Sequence, residues 1–463
     1  MITVHPQQEL LPVRALNGVN LGPRDRHWGR DYTEHFRRAK VSSVRVHDAP
    51  LQMNDVVDLH CIFPSPKLDP HDPDNYFFAP TDDYLAAIGN AGAEIYFRIG
   101  ESIEHQPTKR YVDPQLWTPE VMATVATNIV RHYNDGWADG HRWGIKYWEF
   151  WNEPEGGWHR PPEQRSCWGG TADDYVRFYT AVAGAVKRFD PDVRVGLAGF
   201  TGGFVNDWIA TGVDDDDALG GWAGVVSHVV TTGVAVDFVS WHTYSDSWAP
   251  IIDTAAGVRE RLDQLGLTAA EQHLTEWNYD PVLSDADGEY TFKQARRRSS
   301  HERYLASSAV ANGVPGAAYL FGTLAALQDT AIDLAHVYTG TSMAFGLFDA
   351  SGHPHPKFSG LEAFAEFLDP DVTRVAVSDT GDHTQALAVR TSSGLRVGVA
   401  RLDGEPGPLV IQVPDVLLAE ASVAVRTLTD DGWQTATAQV DAMTGRMAVA
   451  LAATGLALIE VTV

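Results

Sequence analysis

The chain is short of basic residues. Lys and Arg number 35 against 61 Asp and Glu, a formal net charge of −26 over 463 residues. Nucleic acid and anionic membranes both reward a basic surface, so neither is an expected partner, and a polyanionic substrate is disfavoured unless a local basic pocket receives it. Cysteine is scarce as well. Cys61 and Cys167 are the only two, and neither stands in a CxxC or metal spacing. Two free thiols are expected, and a disulfide between them is not derivable. No apolar run is long enough to span a bilayer. The first ten residues lack a basic stretch followed by an apolar one, so the expectation is a cytoplasmic enzyme, secreted only if a leader precedes them. There is no GxSxG, P-loop or GxGxxG. The closest zinc-like string, His301-Glu302-Arg303-Tyr304-Leu305, lacks a second His. No cofactor and no metal is therefore implied.

The remaining composition is that of an ordinary folded protein, 44% hydrophobic and 21% charged. The length suffices for a large core and more than one domain. Apolar strand-like runs at 16–22, 42–48, 94–100, 146–151, 193–198, 237–244, 272–276 and 317–322 alternate with helical patterns at 31–40, 82–91, 119–133, 171–189, 222–233, 252–265, 291–311 and 357–368. Thr171 with Asp174 three residues on is a capping-box-like start. Residues 61–80, rich in Pro and Asp, form a loop over the barrel mouth. The acidic run at 213–218 is a solvated loop. Ser284–Gly288 lacks the later ligands of a calcium loop and is a turn. Eight strands alternating with helices predict an α/β chain, a (β/α)8 TIM barrel over 14–368. After Asp369-Pro370 helical periods vanish and short strand-like runs separated by Gly, Pro and Asp take over. Residues 369–463 are therefore a small C-terminal antiparallel β-sandwich.

Two strand ends stand out. Tyr147-Trp148-Glu149-Phe150-Trp151-Asn152-Glu153-Pro154 ends at a proline that cannot continue a ladder. Simple alternation puts Tyr147, Glu149, Trp151 and Glu153 on one face if no bulge intervenes. Gln272-His273-Leu274-Thr275-Glu276-Trp277-Asn278 is a second strand with a Glu near its end. A carboxylate among large apolar rings is costly unless it has a task, and such surroundings raise its pKa. Two such carboxylates, each at the end of a barrel strand where active residues sit, fit glycoside hydrolysis. Glu149 lies deeper and is expected to be a structural carboxylate in a hydrogen-bond network.

Trp151-Asn152-Glu153-Pro154 resembles the acid/base motif at strand four of clan A glycoside hydrolases, and Thr275-Glu276-Trp277-Asn278 the nucleophile motif at strand seven. The fuller pattern, with Trp158 downstream, most resembles glycoside hydrolase family 39, which includes β-xylosidases and α-L-iduronidases. The resemblance implies a retaining enzyme working through a glycosyl-enzyme intermediate, with Glu153 as acid/base and Glu276 as nucleophile. It implies a carbohydrate substrate, and that residues 1–13 add a strand to the sandwich. Arg45 resembles the clan arginine that keeps the nucleophile ionised, and Tyr244, on the same alternating face as His242, is the expected second donor. Asn152 is expected on the sugar hydroxyl next to the reacting carbon. His47, His105, Trp158, Trp277 and Phe321 are further pocket candidates. Many clan members carry a Trp platform at strand eight, and Phe321 stands at the matching position of the expected strand. An exo-acting β-xylosidase-like enzyme is the leading expectation. An arabinosidase, an endo-glycanase and a non-catalytic sugar-binding protein are the alternatives.

Overall fold

Strands buried on both faces read as near-continuous apolar runs, and that is the state of the barrel strands here. The computed structural model describes all residues except 26–28, 105, 107, 159, 212–223, 298–299, 414–417 and 419–420. The acidic run at 213–218 and the start of the helix expected from Trp222 lie outside the described residues. Eight strands, Gly18–Asn20, Ser43–Arg45, Glu94–Ile99, Tyr147–Asn152, Arg194–Phe200, Phe238–Ser245, Glu271–Tyr279 and Ile332–Val337, close into one barrel in chain order. Every neighbouring pair is parallel, and the eighth strand pairs back onto the first. Helices connect them. Ala172–Phe189 starts at the reciprocal capping box of Thr171 and Asp174, as expected. It presents Tyr175, Phe178, Tyr179, Val182 and Val186 to the core. Tyr96, Tyr147 and Phe238 from different strands pack together and, with His273, fill the barrel floor. The chemistry is thereby confined to the other end.

The eighth strand is not where the sequence suggests. Residues 317–322 lie inside the helix Val314–Ala326, and the eighth strand is Ile332–Val337. A continuous apolar run fits a buried helix as well as a buried strand, because no polar face reveals the period. This helix is buried on two sides. Toward the barrel, Tyr319 stacks on Tyr279 with ring centroids 4.7 Å apart. Toward the C-terminal sheet, Phe321 meets Phe367 at 5.7 Å and lies against Gly398, where a Cβ would come within 2.2 Å of the Phe321 ring. Phe321 is thus interdomain packing. The helix expected over 291–311 is two helices, Phe292–Arg297 and His301–Asn312, and Ser284–Gly288 forms the tip of a hairpin, Val282–Asp285 with Gly288–Thr291. The loop expected at 61–80 contains the end of a helical turn, Leu59–Ile62, the short 3-10 turn Pro73–Asn75 and, at its end, the first residues of the helix Ala79–Asn90.

The C-terminal strands form a sandwich sheet of ten strands. One of the ten is N-terminal. Ile2–Glu9 pairs antiparallel with Thr373–Ser378 and parallel with Gly407–Gln412, and Ile2 and Val4 join its apolar cluster with Val375, Val397 and Ile411. Both cysteines are free thiols. Among the described residues no single helix is long and apolar enough to cross a membrane.

Phe321→Ala should cost about 3–5 kcal/mol in urea unfolding while leaving KM of the folded enzyme unchanged. A raised KM with stability intact would instead mark Phe321 as a sugar contact.

Candidate active site

Backbone alternation breaks at the end of the fourth strand. Trp151 and Glu153 both have positive φ, 76° and 44°. For residues with side chains this is strained backbone of the kind that gathers at functional sites. The turn sends the Trp151 ring outward onto Trp168, at 4.8 Å, and its indole N–H to the Cys167 carbonyl at 2.6 Å. Trp151 therefore does not share a face with Glu149 and Glu153, contrary to simple alternation. Asn152 and Glu153 turn inward instead.

Below them Arg45 organises the barrel centre. Its Nε donates to Glu149 Oε2 at 2.7 Å, Nη1 to Glu276 Oε1 at 2.9 Å and to Asn20 Oδ1 at 3.1 Å, and Nη2 to Asn152 Oδ1 at 2.8 Å. Glu149 also accepts from the Ser240 hydroxyl at 2.6 Å. It is fully buried, as a structural carboxylate should be. Burial works against the Arg45 charge, but Glu149 and then Glu276 outweigh it and its pKa is raised.

Glu276 takes its second donor from the Tyr244 hydroxyl, 2.9 Å from Oε2. Both of its oxygens are thus held by groups that donate. Glu153 Oε1 lies 2.8 Å from His242 Nδ1. His242 fits only because residue 199 is glycine, since a Cβ there would come within 2.1 Å of Nε2. Burial lowers the His242 pKa to about 4, so the ring is neutral near pH 7. His47 Nε2 lies 3.2 Å from Asp48 and 3.9 Å from Glu276. Burial, then Arg45, hold its pKa well below the usual imidazole range. One oxygen of Glu153, one of Glu276 and a ring nitrogen of His242 all lie within 4.8 Å of one another. Burial raises the pKa of both carboxyls. Lys293 opposes the rise most at Glu153, while at Glu276 His242 and then Arg45 oppose it and Glu153 reinforces it.

Residues 103–393 match the family model of glycosyl hydrolases family 39. The chain belongs to this family. It is a glycoside hydrolase, and its substrate is a carbohydrate. No curated protein sequence matches it. Among solved structures it is similar to a glucosidase from Croceicoccus marinus, 22% identical with a TM-score of 0.72, over 100% of this chain and 98% of that one. A monomeric beta-xylosidase from Caulobacter crescentus CB15 is 15% identical with a TM-score of 0.65, over 100% and 99%. A thermostable GH51 alpha-L-arabinofuranosidase from Thermotoga petrophila RKU-1 is 16% identical with a TM-score of 0.59, over 99% of each chain. At these identities the likeness is one of fold.

On this family 39 barrel, Arg45, His47, Asn152, Glu153, His242, Tyr244 and Glu276 converge. Three other candidates do not. Trp158 packs on Tyr175 and Phe204, Trp277 faces Tyr319 on the outer helix, and Phe321 lies against the sandwich. His105 lies outside the described residues. The structure adds residues that sequence reasoning missed. Asn20 ends the first strand, where it holds the Thr275 carbonyl at 2.8 Å as well as Arg45. Tyr338 follows the true eighth strand, and its hydroxyl donates to Asp48 at 2.9 Å. Lys293 Nζ sits 3.8 Å from the centre of the Tyr244 ring. No local pattern marks Lys293. Tyr338 would have been found by placing the eighth strand correctly.

Arg45 faces two carboxylates, which leaves a surplus negative charge in a buried cluster. Glu149→Gln, which weakens the fully buried contacts of Arg45 and the Ser240 hydroxyl while Glu276 still faces Arg45, should destabilise by about 1–3 kcal/mol. Glu276→Gln removes the surplus charge and should be neutral or stabilising. Urea midpoints of the two variants in the reverse order would refute this charge balance.

Proposed function

We propose that the enzyme is a retaining exo-glycosidase acting on a neutral pentoside, with a β-xyloside as the first candidate. The observation that carries the reading is the separation of Glu153 and Glu276. One oxygen of each within 4.8 Å supports the roughly 5–5.5 Å carboxyl separation of retaining enzymes over the about 6.5–9.5 Å of inverting ones, which place a water between. Glu276, held by Arg45 and Tyr244, attacks the anomeric carbon as a carboxylate. The bond to the leaving oxygen breaks as Glu153 delivers its proton there. Glu153 then takes a proton from water, which attacks the anomeric carbon and expels Glu276 as the carboxylate again.

Asn152 suits the neighbouring hydroxyl. Its Oδ1 is fixed by Arg45, and its buried Nδ2 has no protein partner, so a donor points where the sugar would bind. Such a bond strengthens in the transition state. The pentoside reading rests on the xylosidase and arabinofuranosidase neighbours, and the glucosidase neighbour makes a β-glucoside the competing substrate.

The test is a panel of nitrophenyl glycosides: β-xyloside, α- and β-arabinosides, β-glucoside and α-iduronide. Release from one pentoside, lowered by about 10⁴-fold or more in Glu276→Ala, is expected. Proton NMR should show the first-formed sugar with the substrate's anomeric configuration, and the opposite anomer would overturn the retaining mechanism. A second prediction concerns pH. Glu153 must be protonated to act as acid, so kcat/KM falls as pH rises through its pKa. Lys293 lowers that pKa, so Lys293→Met should move the alkaline limb to higher pH. A shift to lower pH would show that Lys293 does not act on Glu153. Glu155, which burial and then Glu153 push up to about 8, is uncharged near neutrality and adds no competing charge there.

A further inference from the structure

A second group of side chains sits in the helical layer outside the barrel. Asp82 lies in the first turn of the helix Ala79–Asn90, and His132 in the last turn of Pro119–Asn134. His141 lies on the connection that follows, which leads into the fourth strand. His132 Nε2 is 3.1 Å from Asp82 Oδ1, and His141 Nε2 is 3.5 Å from Asp82 Oδ2. The three ligand atoms lie within 4.8 Å of one another.

The protons on these rings decide what the cluster can do. His132 Nδ1 lies 2.9 Å from the Trp137 carbonyl, which can only accept, so Nδ1 carries the hydrogen. A neutral His132 then turns its Nε2 lone pair toward a carboxylate, acceptor against acceptor. His141 Nε2 is sheltered from solvent and has no hydrogen-bond partner. Among the described residues no Lys or Arg pairs with Asp82. A single divalent cation satisfies all three groups at once.

The geometry agrees. Zinc bonds of about 2.0–2.1 Å in a tetrahedron place ligand atoms about 3.3–3.4 Å apart. Each histidine Nε2 stands near that spacing from one oxygen of the carboxylate, His132 at 3.1 Å from Oδ1 and His141 at 3.5 Å from Oδ2. The rings are also held in place. His132 stacks on Phe78 with centroids 3.5 Å apart, and His141 on Trp143 at 4.0 Å. The Trp137 carbonyl orients His132 as an outer partner orients a metal ligand. Residue 140 must be glycine for the connection to pass, since a Cβ there would come within 2.6 Å of His132 Nδ1. A cavity of about 750 Å³ lined by Asp82, His132, Phe78 and Tyr76 gives a fourth ligand, water, its approach. The other two carboxylate and histidine groups differ. Asp58 beside His60 and Glu101 already holds Arg98 at 2.6 Å, and Glu276 already holds Arg45 at 2.9 Å.

We infer that Asp82, His132 and His141 form a three-ligand site for a zinc-like divalent cation, with one position left to water, which ties two outer helices to the connection entering the fourth barrel strand. Two imidazoles and one carboxylate favour zinc over calcium or magnesium.

The full chain, stripped with a chelator, would be titrated with zinc chloride by calorimetry and melted with and without zinc. Binding of one tight zinc ion per chain with a raised Tm is expected. His141→Ala and Asp82→Asn should each weaken it by about tenfold or more. His141 donates and accepts no side-chain hydrogen bond and is one-third exposed, so its variant should fold. Cobalt substitution of the unaltered protein gives an independent reading. Intense visible bands of a four-coordinate ion support the site. Absence of zinc binding, an affinity in both variants unchanged from that of the unaltered protein, or a weak six-coordinate cobalt spectrum would overturn it.

Discussion

The barrel centre depends on one guanidinium. Arg45 is buried with no exposure to solvent, and its donors are spread over residues from the first, fourth and seventh strands: Asn20, Glu149, Asn152 and Glu276. An arginine suits this task better than a lysine because its donors are fixed in a plane and cannot be lost by deprotonation. Placing it there requires the strand order of a closed parallel barrel, since only closure brings residues 20, 45, 149 and 276 to one axis. The fold and the site are therefore specified together. A shift in any of these strands would leave a buried charge without its partner.

That constraint also separates two glutamates of the same chemical type. Glu149 shares its oxygens between Arg45 and Ser240 and has none left for substrate. Glu276, farther along the barrel axis, spends one oxygen on Arg45 and the other on Tyr244, and it remains within reach of Glu153. Two carboxyls this close favour sharing a proton over both ionising. The donors on Glu276 bias it toward the charged form. Glu153 has only His242 as a hydrogen-bond partner, which suits the proposed assignment of the shared proton to Glu153. The proposed acid and nucleophile thus differ by their neighbours and not by residue type.

Much of this was legible in the sequence because the informative features are local. Glu153 and Glu276 each announce themselves by a strand end with aromatics and Asn, and the barrel by its alternation of periods. Four features were not legible, each for a physical reason. The eighth strand was misplaced because 314–326 is buried on two sides and shows no polar face. Trp151 was put on the wrong face because a positive φ breaks the period of two, and nothing in the residue types announces it. Trp277 follows the nucleophile in sequence, but the next residue along a strand points to the opposite side, toward the outer helix. Lys293 comes from beyond a hairpin, and only tertiary structure brings it over Tyr244.

The electrostatics of the mouth run against those of the chain. With a net charge of −26, the average surface repels anions, yet the groups that act on Glu153 beyond its own burial are Lys293, Arg45 and Arg297. Their effect falls on the acid, where each positive charge draws the raised pKa back down. A general acid that must become a base within one cycle needs a pKa near the working pH. For the acid/base role proposed for Glu153, burial, which raises its pKa, and Lys293, which lowers it, are the two opposing influences that would set that value.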